Sequence, residues 1–488
     1  MTVRDDEIRR LLREVNPWWR AAISGGDVTA WARDDRTLRL RAAHDLGYRS
    51  PVLADLVADP LSDALVLLRG PRRVGKSVAL KDLAVSLCLR PDVIAWQVIY
   101  LPADTLTERD FRRAFQLGRD TTRPAGERPR VWLIDEVTAV PGWTRTIKSL
   151  RDNSPVGGDT VVLTGSSATG VAEADRDLGA GRAGEANLRR RRLLLPMSFA
   201  DIVRHTLPDV PVPAPVGLDR LQSPEAGAVV DQMEAFTDDL DLAWQRYLEH
   251  GGFPRAVAEH VRQGAVSMSF AEDLLAWLRA DVDPEGTQES VPLLLDTVHS
   301  RSGAPLNVRA TAEALGFTRS YVDRRLARLV SAFAALWCPQ RDDDGRPIPG
   351  SQAKFYLSDP LLTQLPHLSR PGLAPRDATR LTEAALGVLL AAAVDHTSPG
   401  RWTDGDTIGY ARTRQGNEID FGPLPVARWT SGVTATPVEA KWVSSGWRAE
   451  ARTIEGRFGR GIIATKTVTD RSHPSWAVPA PVLALLIG

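Results

Sequence analysis

The sequence predicts an α/β protein: a first domain with a parallel β-sheet, then a helical region, then a second α/β domain. Three observations predict this fold class. Short apolar runs with the length of buried strands alternate with helical stretches before residue 170, which is typical of a parallel sheet covered by helices. A Pro-rich segment at 206–226 interrupts the pattern, and helical periodicity follows it. After residue 351, apolar runs again mix with helices.

Length and composition limit the classes of protein. The 488 residues correspond to about three domains at ~150 residues each. The net charge is zero, so any contact with nucleic acid must come from local basic patches. Cys88 and Cys338 are too far apart in sequence to suggest a disulfide framework or a zinc motif, which favours a reducing compartment. The charged N-terminus is unlike a signal peptide, and the apolar run at 385–394 is too short to span a bilayer. We therefore expect a cytoplasmic protein without a membrane partner.

The predicted elements follow from hydrophobic periodicity. An amphipathic helix is expected over 5–22 and another helix over 76–89. The strands of the first sheet are expected at 64–70, 98–104, 131–137 and 160–167. The predicted domains are an N-terminal helical segment at 1–45, the sheet-containing core at 46–205, a linker and helical lid at 206–285, a helix-turn-helix region at 286–350 and the second α/β domain at 351–488.

A glycine-rich loop follows the first predicted strand. The segment GPRRVGKS matches G-x-x-x-x-G-K-[ST] between a strand and a helix, and this context favours a phosphate-binding loop over an unrelated glycine-rich turn. Gly70 and Gly75 permit the tight turns that let backbone N–H groups surround a phosphate. Lys76 would reach the β- and γ-phosphates of ATP, and the Ser77 hydroxyl would bind Mg²⁺. The predicted ATP-binding residues of the loop are Gly70, Pro71, Arg72, Arg73, Val74, Gly75, Lys76, Ser77 and Val78.

Two acidic residues end the apolar segment VWLIDEV. Asp135 would hold Mg²⁺, and Glu136 would polarise the attacking water as a general base. An acidic strand end facing solvent is the alternative, which the upstream phosphate loop disfavours. Thr164 or Ser166, at the end of the next strand, could contact the γ-phosphate. Arg182 is a candidate charge-stabilising arginine, in cis or toward a neighbouring subunit, with a surface salt bridge as the equal alternative.

Six strings occur here in the order found in a large family of bacterial and archaeal proteins: LLRGPRRVGKS, LIDEVTAVPGWTRTIKSLRDN, VVLTGSSA, GAGRAGE, LLLPMSFADI and YLEHGGFPRAV. The chain resembles these AAA-type P-loop ATPases, whose C-terminal domain of unknown function is related to restriction endonucleases of the PD-(D/E)xK type. The resemblance covers roughly residues 40–480. It implies an AAA-type ATPase core, a helical or winged-helix middle and a nuclease-like end. The basic run at 189–192 and the Pro-rich insert at 206–226 depart from the family pattern.

The region 305–339 predicts a helix, a turn at Gly316 and a second helix capped by Thr318. Val322, Leu326 and Leu329 share one face of the second helix, which leaves its arginines mostly outside. Those arginines are Arg319, Arg324, Arg325 and Arg328. A wing-like hairpin around 347–350 follows, so a winged helix that contacts DNA fits the pattern. A module for protein contact fits equally well, because three aspartates at 342–344 flank the wing.

The C-terminal region contains two short strands with acidic residues. Glu439 and Lys441 in PVEAKW alternate along a strand and so share one face, and Asp420 in NEIDFG precedes them. Asp420 and Glu439 on adjacent strands could hold a second Mg²⁺ or Mn²⁺, with Lys441 acting on water and phosphate. This arrangement resembles the restriction-endonuclease core, and the resemblance adds Glu383 from a preceding helix. The alternative is a solvated Glu-x-Lys pair, and domains of this kind also persist as inactive scaffolds.

Two functions remain open at this point. The first is a DNA-associated ATPase with ATP and Mg²⁺ as cofactors and a nuclease-like domain that is active or inactive. The second is a nucleotide-dependent signalling switch whose C-terminal domain is an inactive scaffold for a protein partner. A homo-oligomer is compatible with either function.

Overall fold

The computed structural model describes residues 4–61, 63–166, 191–369, 376–422, 424–425 and 434–488. The chain divides into two units, Met1–Leu194 and Leu195–Gly488. The five predicted domains are a finer division and stay a prediction.

The described helices of the first unit are α1 (Asp5–Val15), α2 (Trp18–Ser24), α3 (Arg36–Ala42), α4 (Ala54–Ala58), α5 (Lys76–Cys88), α6 (Glu108–Thr121) and α7 (Trp143–Asn153). The strands are β1 (Leu65–Arg69), β2 (Val98–Pro102), β3 (Val131–Asp135), β4 (Thr160–Gly165) and β5 (Arg191–Leu193). They form one sheet in the order β2-β3-β4-β1-β5, and every pairing is parallel. All residues of β1, β3 and β4 are buried, as expected for strands covered on both faces. The α/β class with a parallel sheet is therefore confirmed.

The N-terminal helix is shorter than predicted. α1 ends at Val15, and α2 begins only at Trp18. Pro17 explains the break, because the residue before a proline is disfavoured in the helical region, and Asn16 has φ −122° and ψ 61°.

Side chains around this break bind the backbone of β2, the terminal strand of the sheet. The Asn16 amide donates to the carbonyl of Tyr100 at 2.9 Å, and the Tyr100 N–H donates back to Asn16 Oδ1 at 2.6 Å. Trp18 and Trp19 each donate an indole N–H to the Val98 carbonyl at 3.0 Å. The motif NPWW is thus tied to the sheet by hydrogen bonds as well as by burial.

The described helices of the second unit are α8 (Phe199–Thr206), α9 (Pro224–Met233), α10 (Thr237–His250), α11 (Pro254–Gln263), α12 (Met268–Val282), α13 (Ser290–Arg301), α14 (Val308–Leu315), α15 (Arg319–Ser331), α16 (Pro360–Ser369), α17 (Ala378–Thr397), α18 (Arg401–Asp404), α19 (Trp447–Phe458) and α20 (Ala480–Ile487). The strands are β6 (Ala335–Cys338), β7 (Lys354–Leu357), β8 (Ala411–Arg412), β9 (Glu418–Ile419), β10 (Leu424–Pro425), β11 (Thr434–Ala435), β12 (Val438–Ala440), β13 (Gly461–Thr465) and β14 (Ser475–Pro479). Strands β6–β7, β8–β9 and β10–β11 form antiparallel pairs, and β12-β13-β14 form a parallel sheet.

The C-terminal sheet has its own apolar core. On one side, Ile463 of β13 lies in a cluster with Trp447, Ala451 and Ile454 of α19. Every residue of α20 is buried as well. The apolar end of the chain is therefore a core element, and no described helix has the length and hydropathy that a bilayer span requires.

The Pro-rich segment between α8 and α9 contains no described helix or strand but is anchored to the C-terminal region. Val216 N–H donates to Leu486 O at 2.7 Å, and Thr436 N–H donates to Leu218 O at 3.1 Å. The Gln222 side-chain amide donates to Gly461 O and Pro474 O. The second half of this segment is thus anchored at residues 216–222 and does not act as a free linker.

Candidate functional site

The loop after β1 has the backbone geometry that its glycines predict. Gly70 has φ +149°, and a Cβ there would lie 1.9 Å from the carbonyl oxygen of Leu194, so no other residue fits. Gly75 has φ +100° and starts α5, while Arg73 has φ +68°. Two left-handed residues in one short loop turn successive N–H groups inward, which is the geometry of an anion-binding nest.

Lys76 is the first residue of α5 and is buried. Its ammonium donates to the carbonyl oxygens of Gly70 at 2.9 Å and Pro71 at 2.7 Å. The Lys76 side chain therefore folds back over the loop that would bind a phosphate. Arg72 and Arg73 are exposed, Val74 is buried, and Ser77 and Val78 are half-buried at the start of the helix.

The two acids after β3 are held by side chains from neighbouring strands. Asp135 Oδ1 accepts from the Thr164 hydroxyl at 2.6 Å, and Asp135 Oδ2 accepts from the Tyr100 hydroxyl at 2.9 Å. Glu136 has φ +55°, its N–H donates to Thr164 Oγ at 2.9 Å, and its carboxylate accepts from the Ser166 hydroxyl. Burial and the Asp135 carboxylate raise the pKa of Tyr100, so its hydroxyl stays a donor.

The order of the strands brings the loop and the acids to one edge of the sheet. Strand β4 lies between β1 and β3, and the carboxyl ends of parallel strands point the same way. Thr164 and Ser166 at the end of β4 therefore lie between the loop and the acidic pair. Tyr100, which sequence reasoning missed, joins the site from β2; a lone tyrosine in an apolar strand beside an acid-ended strand was the only hint of it. Arg182 lies outside the described residues and stays a prediction.

In the second unit, Glu383 and Asp420 contact a lysine that sequence reasoning missed, and Glu439 accepts a hydrogen bond from the backbone of Asp420. Lys354 of β7 is fully buried, and its ammonium lies 3.0 Å from Asp420 Oδ1 and 3.2 Å from Glu383 Oε1. It also lies 3.7 Å from Glu418 Oε1. The Tyr356 hydroxyl, two residues along β7, donates to the same Glu383 oxygen at 2.6 Å. We call Lys354, Glu383, Asp420 and Glu439 the carboxylate cluster.

Three further oxygens of the cluster also have partners. Asp420 Oδ2 accepts from the Ala440 N–H at 3.1 Å, and Glu439 Oε2 accepts from the Asp420 N–H at 3.1 Å. Glu439 Oε1 lies 3.0 Å from the ammonium of Lys441, which is about a third exposed, at 32%. The bridge between Phe421 and Val438 sets this register.

The charges of the cluster shift the pKa values of its members. Burial and the Asp420 carboxylate raise the pKa of Glu383 to about 7 and that of Glu439 to about 8. Burial alone would lower the pKa of Lys354, but the carboxylates of Asp420 and Glu383 raise it above its usual value. Lys354 is thus a charged ammonium among carboxyl groups that resist ionisation.

A second divalent ion does not fit these residues as they stand. A hard cation such as Mg²⁺ needs several open oxygen ligands. Five of the six oxygens of Glu383, Asp420 and Glu439 instead face an N–H, O–H or ammonium donor of the protein. The ammonium groups of Lys354 and Lys441 would also repel a cation, whereas the donors to Asp135 are neutral hydroxyls. Across the described part of the chain, no group of three or more His, Cys, Asp or Glu has the geometry of a metal site.

The helix-turn-helix region has the predicted elements, with one correction. Gly316 ends α14 in the left-handed conformation, and Thr318 caps α15 by accepting from Tyr321 N–H. Arg325, expected outside, is buried and forms an ion pair with Asp283. It lies three residues after Val322 and therefore shares the inward face of α15.

Arg319 and Arg324 are exposed as expected, and Arg328 is half-buried with a 3.2 Å hydrogen bond to Val282 O. The exposed surface of α15 is therefore less basic than the sequence suggested.

The parallel sheet, with the glycine-rich loop and the acidic pair at one edge, has the arrangement of a P-loop domain. Residues 62–203 match the family model described as an AAA domain. Residues 241–369 match a second model, described as a domain of unknown function (DUF8612). An uncharacterized protein of Haemophilus influenzae is 24% identical over 319 residues, covering 64% of this chain and 71% of the relative.

Among solved structures, a Walker-type ATPase of Pyrococcus abyssi is similar with 13% identity and a TM-score of 0.38, over 67% of this chain and 95% of that one. The RuvB Holliday junction branch migration motor of Thermotoga maritima is similar with 15% identity and a TM-score of 0.29, over 61% of this chain and 89% of that one. The strand order and the match of residues 62–203 define the fold of the first unit independently of these structures.

Proposed function

We propose that this protein binds ATP at the loop of residues 70–78 and hydrolyses it at Glu136. The observation that carries the proposal is the position of Asp135 and Glu136. Hydrogen bonds with Thr164 and Ser166 hold this acidic pair at the same edge of the sheet as the loop that contains Lys76. An acid-lined edge beside an anion-binding loop can hold a polyphosphate and activate water next to it.

Each residue has a definite role in this proposal. Lys76 leaves its two loop carbonyls and binds the β- and γ-phosphates, while the loop N–H groups bind the β-phosphate. The Ser77 hydroxyl and the Asp135 carboxylate are oxygen ligands that suit Mg²⁺, which offsets phosphate charge when bound. Glu136 accepts the proton of the attacking water, and Ser166 orients the Glu136 carboxylate. Thr164 or Ser166 senses the γ-phosphate.

Two variants test these roles. Lys76→Ala should abolish hydrolysis and weaken ATP binding, because the phosphates lose a positioned positive charge. Glu136→Gln should keep ATP binding but stop turnover, since it removes only the base. Assays of phosphate release and of equilibrium binding of labelled ATP measure both effects. The matched control is Lys148→Ala, which replaces a half-buried lysine on α7.

Turnover in Lys76→Ala like that of the wild type would disprove the assignment of the phosphate site. Loss of ATP binding in Glu136→Gln would disprove the role of Glu136.

A second candidate function is DNA association through α15. The observation that favours it is a helix-turn-helix followed by the β6–β7 hairpin, with Arg319 and Arg324 exposed on the second helix. If Arg324 contacts a phosphate, Arg324→Ala should weaken duplex binding uniformly and reduce the slope of log K against log salt by about one. Arg309→Ala on α14 is the control. An unchanged slope would favour the alternative, in which this region and the nuclease-like domain bind a protein partner and ATP acts as a switch.

A further inference from the structure

The restriction-endonuclease resemblance predicts that Asp420, Glu439 and Glu383 hold a divalent ion, yet the carboxylate cluster already contains a cation. The Lys354 ammonium touches two of the three carboxylates at 3.0–3.2 Å and is fully buried. We propose that Lys354 is the resident cation of the cluster, that it excludes divalent ions from it, and that removing its charge would open a latent divalent-cation site. This proposal does not depend on ATP hydrolysis.

The position of Lys354 supports this role. An ammonium held between carboxylates satisfies the same charge that a bound Mg²⁺ would, without requiring several water ligands. β7 pairs with β6 in a fixed register, so Lys354 enters from a rigid hairpin. Tyr356, on the same face of β7, holds the Glu383 carboxylate from the same side, and the ring of Tyr410 lies 5.5 Å from the ammonium.

The cluster therefore joins three parts of the second unit. Lys354 belongs to the β6–β7 hairpin, Glu383 to α17, and Asp420 to the segment that precedes β12. Each of these side chains is at least nine-tenths buried. A buried ammonium without its carboxylates, or buried carboxylates without the ammonium, would be strongly unfavourable, so the contact resists separation of the hairpin from the C-terminal sheet.

The test uses the full chain, nucleotide-free and in a Lys76→Ala background, with Mn²⁺ as the probe. Titration calorimetry measures Mn²⁺ binding, and differential scanning calorimetry measures melting. In the wild-type protein we expect no Mn²⁺ to bind at the cluster, so the Glu439→Gln change should leave the titration unchanged. Binding of Mn²⁺ in the micromolar range that Glu439→Gln abolishes would overturn the proposal, whether or not any Lys354 variant folds.

The Lys354→Met variant tests whether removing the ammonium opens the cluster to a divalent ion. It leaves the carboxylates without their cation, so we expect the melting temperature to fall by about 10 °C and millimolar Mn²⁺ to restore at least half of that loss. Adding Glu439→Gln to Lys354→Met should remove the Mn²⁺ response. A Lys354→Met protein that melts like the wild type and ignores Mn²⁺ would also overturn the proposal.

Two further variants control for packing and for failure to fold. Lys441→Met removes a cation that is a third exposed and should lower the melting temperature by less than half as much as Lys354→Met. Lys354→Met combined with Asp420→Asn removes one charge of each sign, and it should melt above Lys354→Met alone. A double variant no more stable than Lys354→Met would show that lost packing, and not unpaired charge, accounts for the effect.

Discussion

At the scale of single residues, hydrogen bonds from neighbouring side chains fix the orientation of the Asp135 carboxylate. Asp135 accepts a hydrogen bond at each carboxylate oxygen, from Thr164 and from Tyr100. The carboxylate cannot rotate without breaking one of them, so its orientation is fixed before it takes up the Mg²⁺-binding role that we propose for it. Tyr100 does not touch the phosphate loop itself and is therefore a positioning residue.

Replacing Tyr100 tests this role. Tyr100→Phe removes a hydrogen bond to a charged group, which contributes about 1.5–3 kcal/mol. We expect kcat to fall several-fold and the Mg²⁺ concentration at half-maximal rate to rise, while the dissociation constant for ATP changes little. Steady-state rates across a Mg²⁺ series measure this, with Tyr48→Phe as the control. An unchanged Mg²⁺ dependence would assign Tyr100 to packing alone.

The buried His250, at the end of α10, should make the free energy of unfolding depend on pH. Burial, and then the neighbouring His260, lower its pKa from 6.5 to about 4. Between these values the unfolded chain binds a proton that the folded protein does not, so stability falls as the pH drops from 6.5 to 4. The loss from this residue is about 3 kcal/mol at most. Urea unfolding at both pH values should show a smaller loss in His250→Gln and an unchanged loss in His473→Gln, whose histidine is exposed.

At the scale of elements, α15 combines an outward face with a buried ion pair. Arg325 and Asp283 are only 3% and 2% exposed, and Tyr321 also donates to Asp283. The pair connects the helix to the end of α12, so the orientation of α15 depends on it.

Breaking this pair should be costly. Arg325→Ala leaves the Asp283 carboxylate buried beside a cavity, and we expect about 3 kcal/mol of lost stability in urea unfolding. Arg324→Ala, one position earlier and exposed, should unfold like the wild type. Equal effects of the two variants would mean that Arg325 is hydrated in solution.

Local patterns predicted the elements well, while contacts distant in sequence escaped them. The strand-loop-helix around Lys76 and the acid-ended strand at Asp135 are contiguous motifs. Tyr100 lies 35 residues from Asp135, and Lys354 lies 66 residues from Asp420. A lysine in an apolar strand looks like a solvent-facing residue until the fold shows what it faces. The same limit applies to Asn16, whose partner is 84 residues away.

At the scale of the whole molecule, the chain divides into two compact units, which should respond to different perturbations. In Glu136→Gln, ATP and Mg²⁺ at about 100 times the dissociation constant should stabilise the unit Met1–Leu194 by about 2.7 kcal/mol. Lys354→Met should destabilise the unit Leu195–Gly488. Scanning calorimetry should resolve two transitions, of which ATP raises one and the Lys354 change lowers the other. A single transition that both perturbations move would show that the units unfold together.

The hydrogen bonds from NPWW to β2 have a consequence for where this domain can be cut. The AAA match begins at residue 62, but Val98 and Tyr100 depend on partners at residues 16–19. A fragment that started at residue 62 would leave β2 as a bare edge strand, with unpaired N–H and C=O groups and exposed apolar surface. Such an edge is a template for a strand from another molecule, so the fragment would associate edge to edge and precipitate. The folding boundary of this unit therefore lies upstream of residue 62, where the AAA domain match begins.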